Sequence, residues 1–424
     1  METMRNTLRR AGIYLRVLGK WLALSAVIGA LCGLLGTAFH VSVEYVTELR
    51  LSNGWIIYTL PAAGLLAAAI YRLLKTEGQG TNDIIREVQE GRGLSLQLVP
   101  AIFLATGVTH LAGGSAGREG AALQMGGALG YWAGRGARLR DQELRIATQA
   151  GMAAFFSALF GTPVAAAVFA LTVISVGRFY HAALLPCLTA SLAAYAISLL
   201  LGVEPTRFAA ALPAFGAVTL LQTAALAALC ALVSVLFCAC MHQAEHWMQR
   251  LFKSSWLRAA VGGALLLALT LIVGNQDYNG AGMGVIRAAV EEGRAKPAAF
   301  LLKMLFTAVT LACGFKGGEV VPSFFVGAAF GCVAGPLLGL PAGAAAAIGL
   351  ISVFCGATNC PIASTFLAAE LFGGESLPLF ALACAVSYVL SGYSGIYSSQ
   401  RILYDKLAAR YIDARANAYH QEEK

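Results

Sequence analysis

Three long stretches of this chain carry no Asp, Glu, Lys or Arg: residues 146–177, 208–244 and the 50 residues from 320 to 369. Each exceeds the roughly 20 apolar residues that one helix needs to cross the hydrocarbon core of a bilayer. In lipid every backbone N–H and C=O must find its partner inside the protein, so stretches of this kind are confined to helices or a closed barrel. Their length and lack of alternation select helices. Charged residues make up only 12% of the 424, about half the ~25% usual in a soluble domain. The chain is therefore read as an all-α polytopic membrane protein, in contact with the lipid bilayer.

Residues 1–20 carry Arg5, Arg9, Arg10, Arg16 and Lys20, and an apolar stretch, 21–43, follows. That stretch lacks a convincing cleavage site, so it is read as a retained span with its N-terminus on the cytoplasmic side of the cell membrane. The basic segment is expected to be a cytoplasmic or interfacial helix. The net charge of +8 fits anionic lipid and cytoplasmic loops, and it gives no sign of nucleic acid as a partner. The ten cysteines lie mostly in apolar runs without zinc-type spacing, so all are expected to be buried free thiols. His242 and His246 stand four apart with no third ligand nearby in sequence, which favours an interfacial pair over a metal site. No metal or cofactor is expected. Residues 401–424 read as a polar tail with no soluble regulatory domain.

The chain repeats itself. Shifted by 200, Leu111, Ala112, Gly114, Gly117, Glu119, Gly127 and Ala128 meet Leu311, Ala312, Gly314, Gly317, Glu319, Gly327 and Ala328. Shifted by 198, Phe156, Pro163, Ala165 and Ala170 meet Phe354, Pro361, Ala363 and Ala368. Paired glutamates behind paired glycines speak for duplication rather than chance similarity of Gly- and Ala-rich sequence. The halves are placed at 21–210 and 211–400. Several segments are short, at 78–89, 117–133, 317–333 and 359–372, the first three opening on glycine, as in transporters whose interrupted helices meet near the bilayer midplane.

Four motifs carry chemistry. In Gly117-Arg118-Glu119-Gly120, glycines permit a tight turn and expose amide hydrogens at a helix N-terminus, where the dipole favours an anion. Such amides hold an anion by partial charge and do not trap it as a fixed cation would. A glutamate among apolar helices is costly, on the order of 3 kcal/mol on insertion scales, and is a candidate for function. Ionised, Glu119 occupies the anion's place; protonated, it leaves. The bland alternative is that it pairs with Arg118 or caps the helix. The second motif is Gln79-Gly80-Thr81-Asn82, with Asn82 or Asp83 as candidate helix cap; the third is Gly318-Glu319-Val320-Val321-Pro322, with proline suited to a first turn. The fourth is Tyr397 on the glycine-loosened stretch 391–398.

Together, in order and spacing, these four motifs resemble the anion-site signatures of the CLC chloride-channel and transporter family. The resemblance implies a fold of two inverted-topology repeats of broken and re-entrant helices, a homodimer, and transport of an inorganic anion with protons. It implies Glu119 as the gating, proton-coupling residue and Glu319 as a second coupling residue. The implied anion-binding set is Gln79, Gly80, Thr81, Asn82, Gly117, Arg118, Gly120, Val320, Val321 and Tyr397. Thr172 and Val173 stand where the chloride branch has its inner acidic pair. That absence, Glu319 before Val320, and the Gly-x-Gly-x-Asn pattern at 78–82 resemble the fluoride-exporting branch. Gln79 and Val321 depart from it, since that branch carries methionine and threonine there. Glu370, the repeat mate of Thr172, reads equally as a second buried proton group or an end-of-helix acid. The expected function is thus a fluoride/proton antiporter. The alternatives are a chloride-type antiporter or passive voltage-gated channel and, remotely, an intramembrane enzyme, for which Ser115 has no placed histidine.

Overall fold

The computed structural model describes residues 2–408 and 410–417. Among them sixteen α-helices follow one another. The first eight are α1 (Glu2–Ser52), α2 (Leu60–Leu73), α3 (Thr81–Glu90), α4 (Leu98–Ala112), α5 (Glu119–Gly136), α6 (Asp141–Phe160), α7 (Pro163–Thr172) and α8 (Leu184–Leu200). The second eight are α9 (Ala217–Leu251), α10 (Ser255–Val273), α11 (Met283–Glu291), α12 (Ala299–Ala312), α13 (Val320–Ala334), α14 (Ala342–Thr358), α15 (Pro361–Phe372) and α16 (Leu377–Leu390). Taken in order the two sets match: each opens on a long helix, places a short one third, and carries its glutamate motif at the head of the fifth. Six described segments are long and apolar enough to cross a membrane, and shorter apolar helices lie between them. The broken architecture expected from the glycine-led segments is present.

Two tight crossings form the centre of the molecule. A Cβ on Gly126 of α5 would stand 2.3 Å from the Gly151 carbonyl oxygen of α6, and one on Gly130 would stand 2.1 Å from that of Ala147. The second set repeats this between α13 and α14, where the corresponding approaches are 2.3 Å for Gly327 to the Gly349 oxygen and 2.2 Å for Gly331 to that of Ala345. Between helices in lipid, association comes from backbone proximity and van der Waals packing, which small residues permit. A ring cluster of Phe156, Phe169, Phe324 and Phe354 then joins the two sets, with Phe324 and Phe354 centroids 5.1 Å apart.

Two expectations are corrected in detail. Residues 2–20 are no separate interfacial helix: they run unbroken into the first span as part of α1. Residues 401–417 are no loose tail either. Strands β2 (Arg401–Tyr404) and β3 (Tyr411–Arg415) pair antiparallel, and β2 pairs in parallel with β1 (Ser175–Val176) after α7. Ile402 is fully buried there, so apolar burial holds this small sheet in an otherwise helical protein. Residues 418–424 lie outside the described ones. Of the ten free cysteines nine are buried and Cys240 is half-buried.

The glycine crossings give a direct expectation. Gly151→Val forces a side chain where a Cβ already meets the Gly126 oxygen at 2.0 Å, and overpacking of this kind costs roughly 1–3 kcal/mol or more. Its melting temperature in detergent should fall clearly. Gly374→Ala, with no atom within 4 Å of the added methyl, should melt as the unaltered protein does.

Candidate anion site

The glycine motifs of the two halves meet. Gly117 and Gly318 form an isolated antiparallel bridge, each N–H donating to the other's carbonyl at 2.8 Å. Any Cβ on Gly120 would lie 2.8 Å from the Gly318 Cα, and one on Gly317 would lie 2.3 Å from the Ala116 Cβ. Glycine is required here because two backbones touch. The consequence is that the N-termini of α5 and α13 converge, bringing two sets of unsatisfied amides and two positive dipole ends to one place.

Glu119, the first residue of α5, is buried at that convergence, 1% exposed. Its carboxylate lies against the backbone amides of Arg118 and Val321, and Oε2 has no hydrogen-bond partner. Oε2 lies 2.2 Å from where a Cβ on Gly117 would stand, so the side chain fills the space the glycine leaves open. Arg118 makes its direct ion pair elsewhere, with Nη1 3.7 Å from Glu44 of α1, which also meets His40 Nε2 at 3.0 Å, while its charge still acts on the Glu119 carboxylate. Arg118 thus presents its side chain to a vestibule of about 1160 Å³, whose wall also includes Glu44, Asp277, Lys296, Glu119 and Val321.

From the other half, Val320 and Val321 fill the buried first turn of α13, and Glu319 precedes them half-buried. Tyr397 comes in on the loop after α16. It is 2% exposed, its hydroxyl has no partner, and it lies within electrostatic reach of both Glu119 and Glu319. A buried hydroxyl without a partner is costly. Here it is a donor held ready beside two carboxylates.

The motif at 79–82 is bonded into its surroundings. Gly80 is the N-cap of α3, and its N–H donates to Asp83 Oδ2 at 2.8 Å, so Asp83 closes the helix end by reaching back. Asn82 is no cap: its Oδ1 accepts the Ser399 N–H at 3.0 Å, tying α3 to the Tyr397 loop. Thr81 Oγ1 accepts from Gln124 Nε2 at 3.0 Å. Gln79 stands half-exposed just ahead of the cap. Of the named residues, the structure brings together Gly117, Glu119, Gly120, Glu319, Val320, Val321 and Tyr397, with Thr81 and Asn82 bonded to their neighbours Gln124 and Ser399.

Several polar residues are resolved as structural. Glu370 accepts the Val164 and Ala165 N–H groups at 3.0 and 2.9 Å, so it closes the N-terminus of α7 from the opposite half. Thr172 bonds back to Val168 O at 2.9 Å. The Ser115 hydroxyl lies 3.0 Å from that of Thr307 and is buried, and His242 Nδ1 meets its own helix at Cys238 O, 2.7 Å away. Three residues unremarked in the sequence sit near the site: Gln124, with a buried Oε1 lacking a partner, and Asn359 and Gln400, which hold the Tyr397 loop. Gln124 alone left a trace, as the one amide side chain in the helix that Glu119 opens.

Residues 63–392 match the family model described as "Voltage gated chloride channel". The chain is 38% identical over 404 residues to a "Chloride/fluoride channel protein" of Pseudomonas syringae pv. tomato, spanning 92% of this chain and 88% of that one. It is 25% identical to the "H(+)/Cl(-) exchange transporter ClcA" of Yersinia pseudotuberculosis, over 95% of this chain and 90% of the other. The fold superimposes on the crystal structure of a CLC-type fluoride/proton antiporter with a TM-score of 0.87 at 34% identity, covering 92% of this chain and 98% of that one.

The unpartnered hydroxyl yields a prediction that separates function from stability. Tyr397→Phe removes a group that bonds nothing in the protein, so the melting temperature should hold or rise slightly. Binding of small anions to the purified protein, read by titration calorimetry, should weaken by about tenfold, the scale of one hydrogen bond to a charged ligand.

Proposed function

Because the chain belongs to the voltage gated chloride channel family, a family of membrane transporters and channels rather than enzymes, we propose that it is a fluoride/proton antiporter that exports fluoride. The observation that carries this reading is the Glu119 carboxylate lying among the amides of two converging helix N-termini, within electrostatic reach of Tyr397. A carboxylate there stands in for the anion. The likeness to a CLC-type fluoride/proton antiporter at 34% identity supports fluoride as the ion.

The cycle follows from charge. With Glu119 ionised, its carboxylate holds the amide site and no anion enters. Protonation from vestibule water removes the charge, the side chain swings toward the vestibule, and an anion takes its place among the amides and the Tyr397 hydroxyl. Return of the side chain requires loss of its proton and displaces the anion, so movement of one ion is tied to movement of the other. Glu319, on the first turn opposite, is the second carboxylate that accepts a proton or holds amide donors near the anion. Fluoride, small and strongly hydrated, demands dense directed donors when it leaves water; Gln124, in the helix that Glu119 opens, is the side-chain amide closest in sequence to the converging motifs, and Gln79 stands just ahead of the α3 cap. A chloride-type transporter is the second reading, favoured by Gln79 and Val321 where the fluoride branch carries methionine and threonine.

The same reading places two chains together in the cell membrane, with the basic N-terminus in the cytoplasm. The C-terminal end of α1, including Glu44 and Leu51, lines the vestibule, so that orientation opens the vestibule to the outside. The division of the membrane core at 21–210 and 211–400 is part of this reading and is supported by the matched order of α1–α8 and α9–α16.

Purified protein in liposomes loaded with fluoride, chloride or nitrate tests the proposal. Fluoride efflux should outrun chloride efflux and drive protons inward against their gradient; chloride efflux as fast as fluoride efflux would leave a chloride-type transporter. In Glu119→Gln, which mimics the protonated form, fluoride should still pass while driven proton movement vanishes. Glu319→Ala should lower fluoride flux by about tenfold or more, as expected when a group hydrogen-bonded through its charge is lost.

A further inference from the structure

The stretch 391–400, which carries Tyr397, has no regular secondary structure, yet it is bonded at almost every step. Ile396 N–H donates to Ala357 O at 2.9 Å and Gln400 N–H to Tyr397 O at 3.0 Å. Gln400 Nε2 reaches Val173 O and Thr358 O at 3.1 and 2.8 Å. Asn359, which ends α14 in a left-handed conformation at φ +57, donates to Ser394 O at 2.9 Å and to Gln400 Oε1 at 3.2 Å.

The strand pair closes this arrangement. Asn417, just past β3, brackets Gly395: its Nδ2 donates to Gly395 O at 2.8 Å and its Oδ1 accepts Gly395 N–H at 3.0 Å. Lys406 projects from the turn between β2 and β3. Asp405 shapes that turn by accepting the Leu407 and Ala408 N–H groups at 2.8 and 2.9 Å. The Lys406 ammonium donates to Asn359 Oδ1 at 2.5 Å, to Tyr388 O at 2.8 Å and to Ser391 Oγ at 3.2 Å, and it stands 4.2 Å from the Tyr388 ring centroid. An ammonium has three protons to donate, and all three find acceptors here. It joins the end of α14, the end of α16 and the start of the Tyr397 loop.

We propose that Lys406 is a positioning residue for Tyr397: the C-terminal strand pair is a clamp, and Lys406, through Asn359, fixes the loop so that the hydroxyl points at the anion. The Asn359 side chain has one oxygen and one amide nitrogen. With Lys406 on the oxygen, the nitrogen is oriented toward Ser394 and Gln400. Without Lys406 the Asn359 oxygen loses its donor and the ends of α14 and α16 lose their common tie, so the bonds on both sides of Tyr397 are loosened together. The strand pair therefore belongs to the anion site, although none of its residues reaches the anion.

The transport arm of the test rests on the proposed fluoride/proton exchange; a second arm does not. In Lys406→Met, which keeps the aliphatic stem, the fluoride concentration for half-maximal flux should rise about tenfold while the maximal rate stays within about threefold. If Lys406 acts through Tyr397, adding Lys406→Met to Tyr397→Phe should raise that concentration no further, since residues in one chain of contacts are not additive. Independently of any ion, hydrogen exchange at the Ile396 and Gln400 amides should quicken in Lys406→Met. Asn417→Ala, which unhooks the other end of the clamp, should act likewise and serves if Lys406→Met fails to fold. Unchanged half-saturation and unchanged exchange in both variants would overturn the proposal, as would an additive loss on the Tyr397→Phe background. Should the unaltered protein carry chloride and not fluoride, the exchange reading fails while the same comparison, run with chloride, still decides the role of Lys406.

Discussion

The exchange of two backbone hydrogen bonds between Gly117 and Gly318, each 2.8 Å long, is the contact on which the site depends. It fixes the heads of α5 and α13 against one another, so that amide hydrogens from both halves of the duplicated chain face one volume. No fixed cation lies in that contact: the partial charges of two helix ends do the work. Four glycines make the approach possible, because a Cβ on Gly117, Gly120, Gly317 or Gly318 would enter occupied space. The glycine crossings behind it, α5 on α6 and α13 on α14, hold the two helix ends at that separation in a solvent that gives no hydrophobic force between helices.

Much of this was legible in the sequence because lipid leaves strong marks. Charge-free runs announce spans, and the repeat pairs Glu119 with Glu319 behind glycines, which marks where the two halves meet. The duplication was visible because glycines that permit backbone contact cannot drift without breaking it. What escaped was non-local. The strands at 401–404 and 411–415 are short, carry charges, and depend on a two-residue partner, 175–176, more than 200 positions earlier. No local pattern reveals such a pairing. Asn82 read as a helix cap or an anion donor because both need a side-chain amide at a turn, and only the fold shows that its oxygen is committed to Ser399. Glu370 reads from the sequence as a proton group or an end-of-helix acid, and only the fold shows that its oxygens accept two N–H groups of α7 from the opposite half.

The two halves contribute unequally despite their common plan. Glu119 is enclosed and lies against amides, whereas Glu319 is half-buried, and the hydroxyl within electrostatic reach of both comes from the loop after α16. That loop is held by Asn359, Gln400 and the strand pair, so the duplicated core supplies the amides and the chain's last segment supplies the hydroxyl. Duplication builds the place, and the segment after α16 completes it. The vestibule beyond Arg118 mixes both signs of charge, with Glu44 and Asp277 beside Arg118 and Lys296, which suits a passage for protons as well as anions.

The central claim is that the Glu119 carboxylate and the transported anion compete for one place. Titration calorimetry of fluoride into the purified protein, repeated in buffers of different ionisation enthalpy, measures the protons taken up as the anion binds. Net proton uptake with fluoride, abolished in Glu119→Gln, is the result this account predicts. Fluoride binding without proton uptake in the unaltered protein would contradict it.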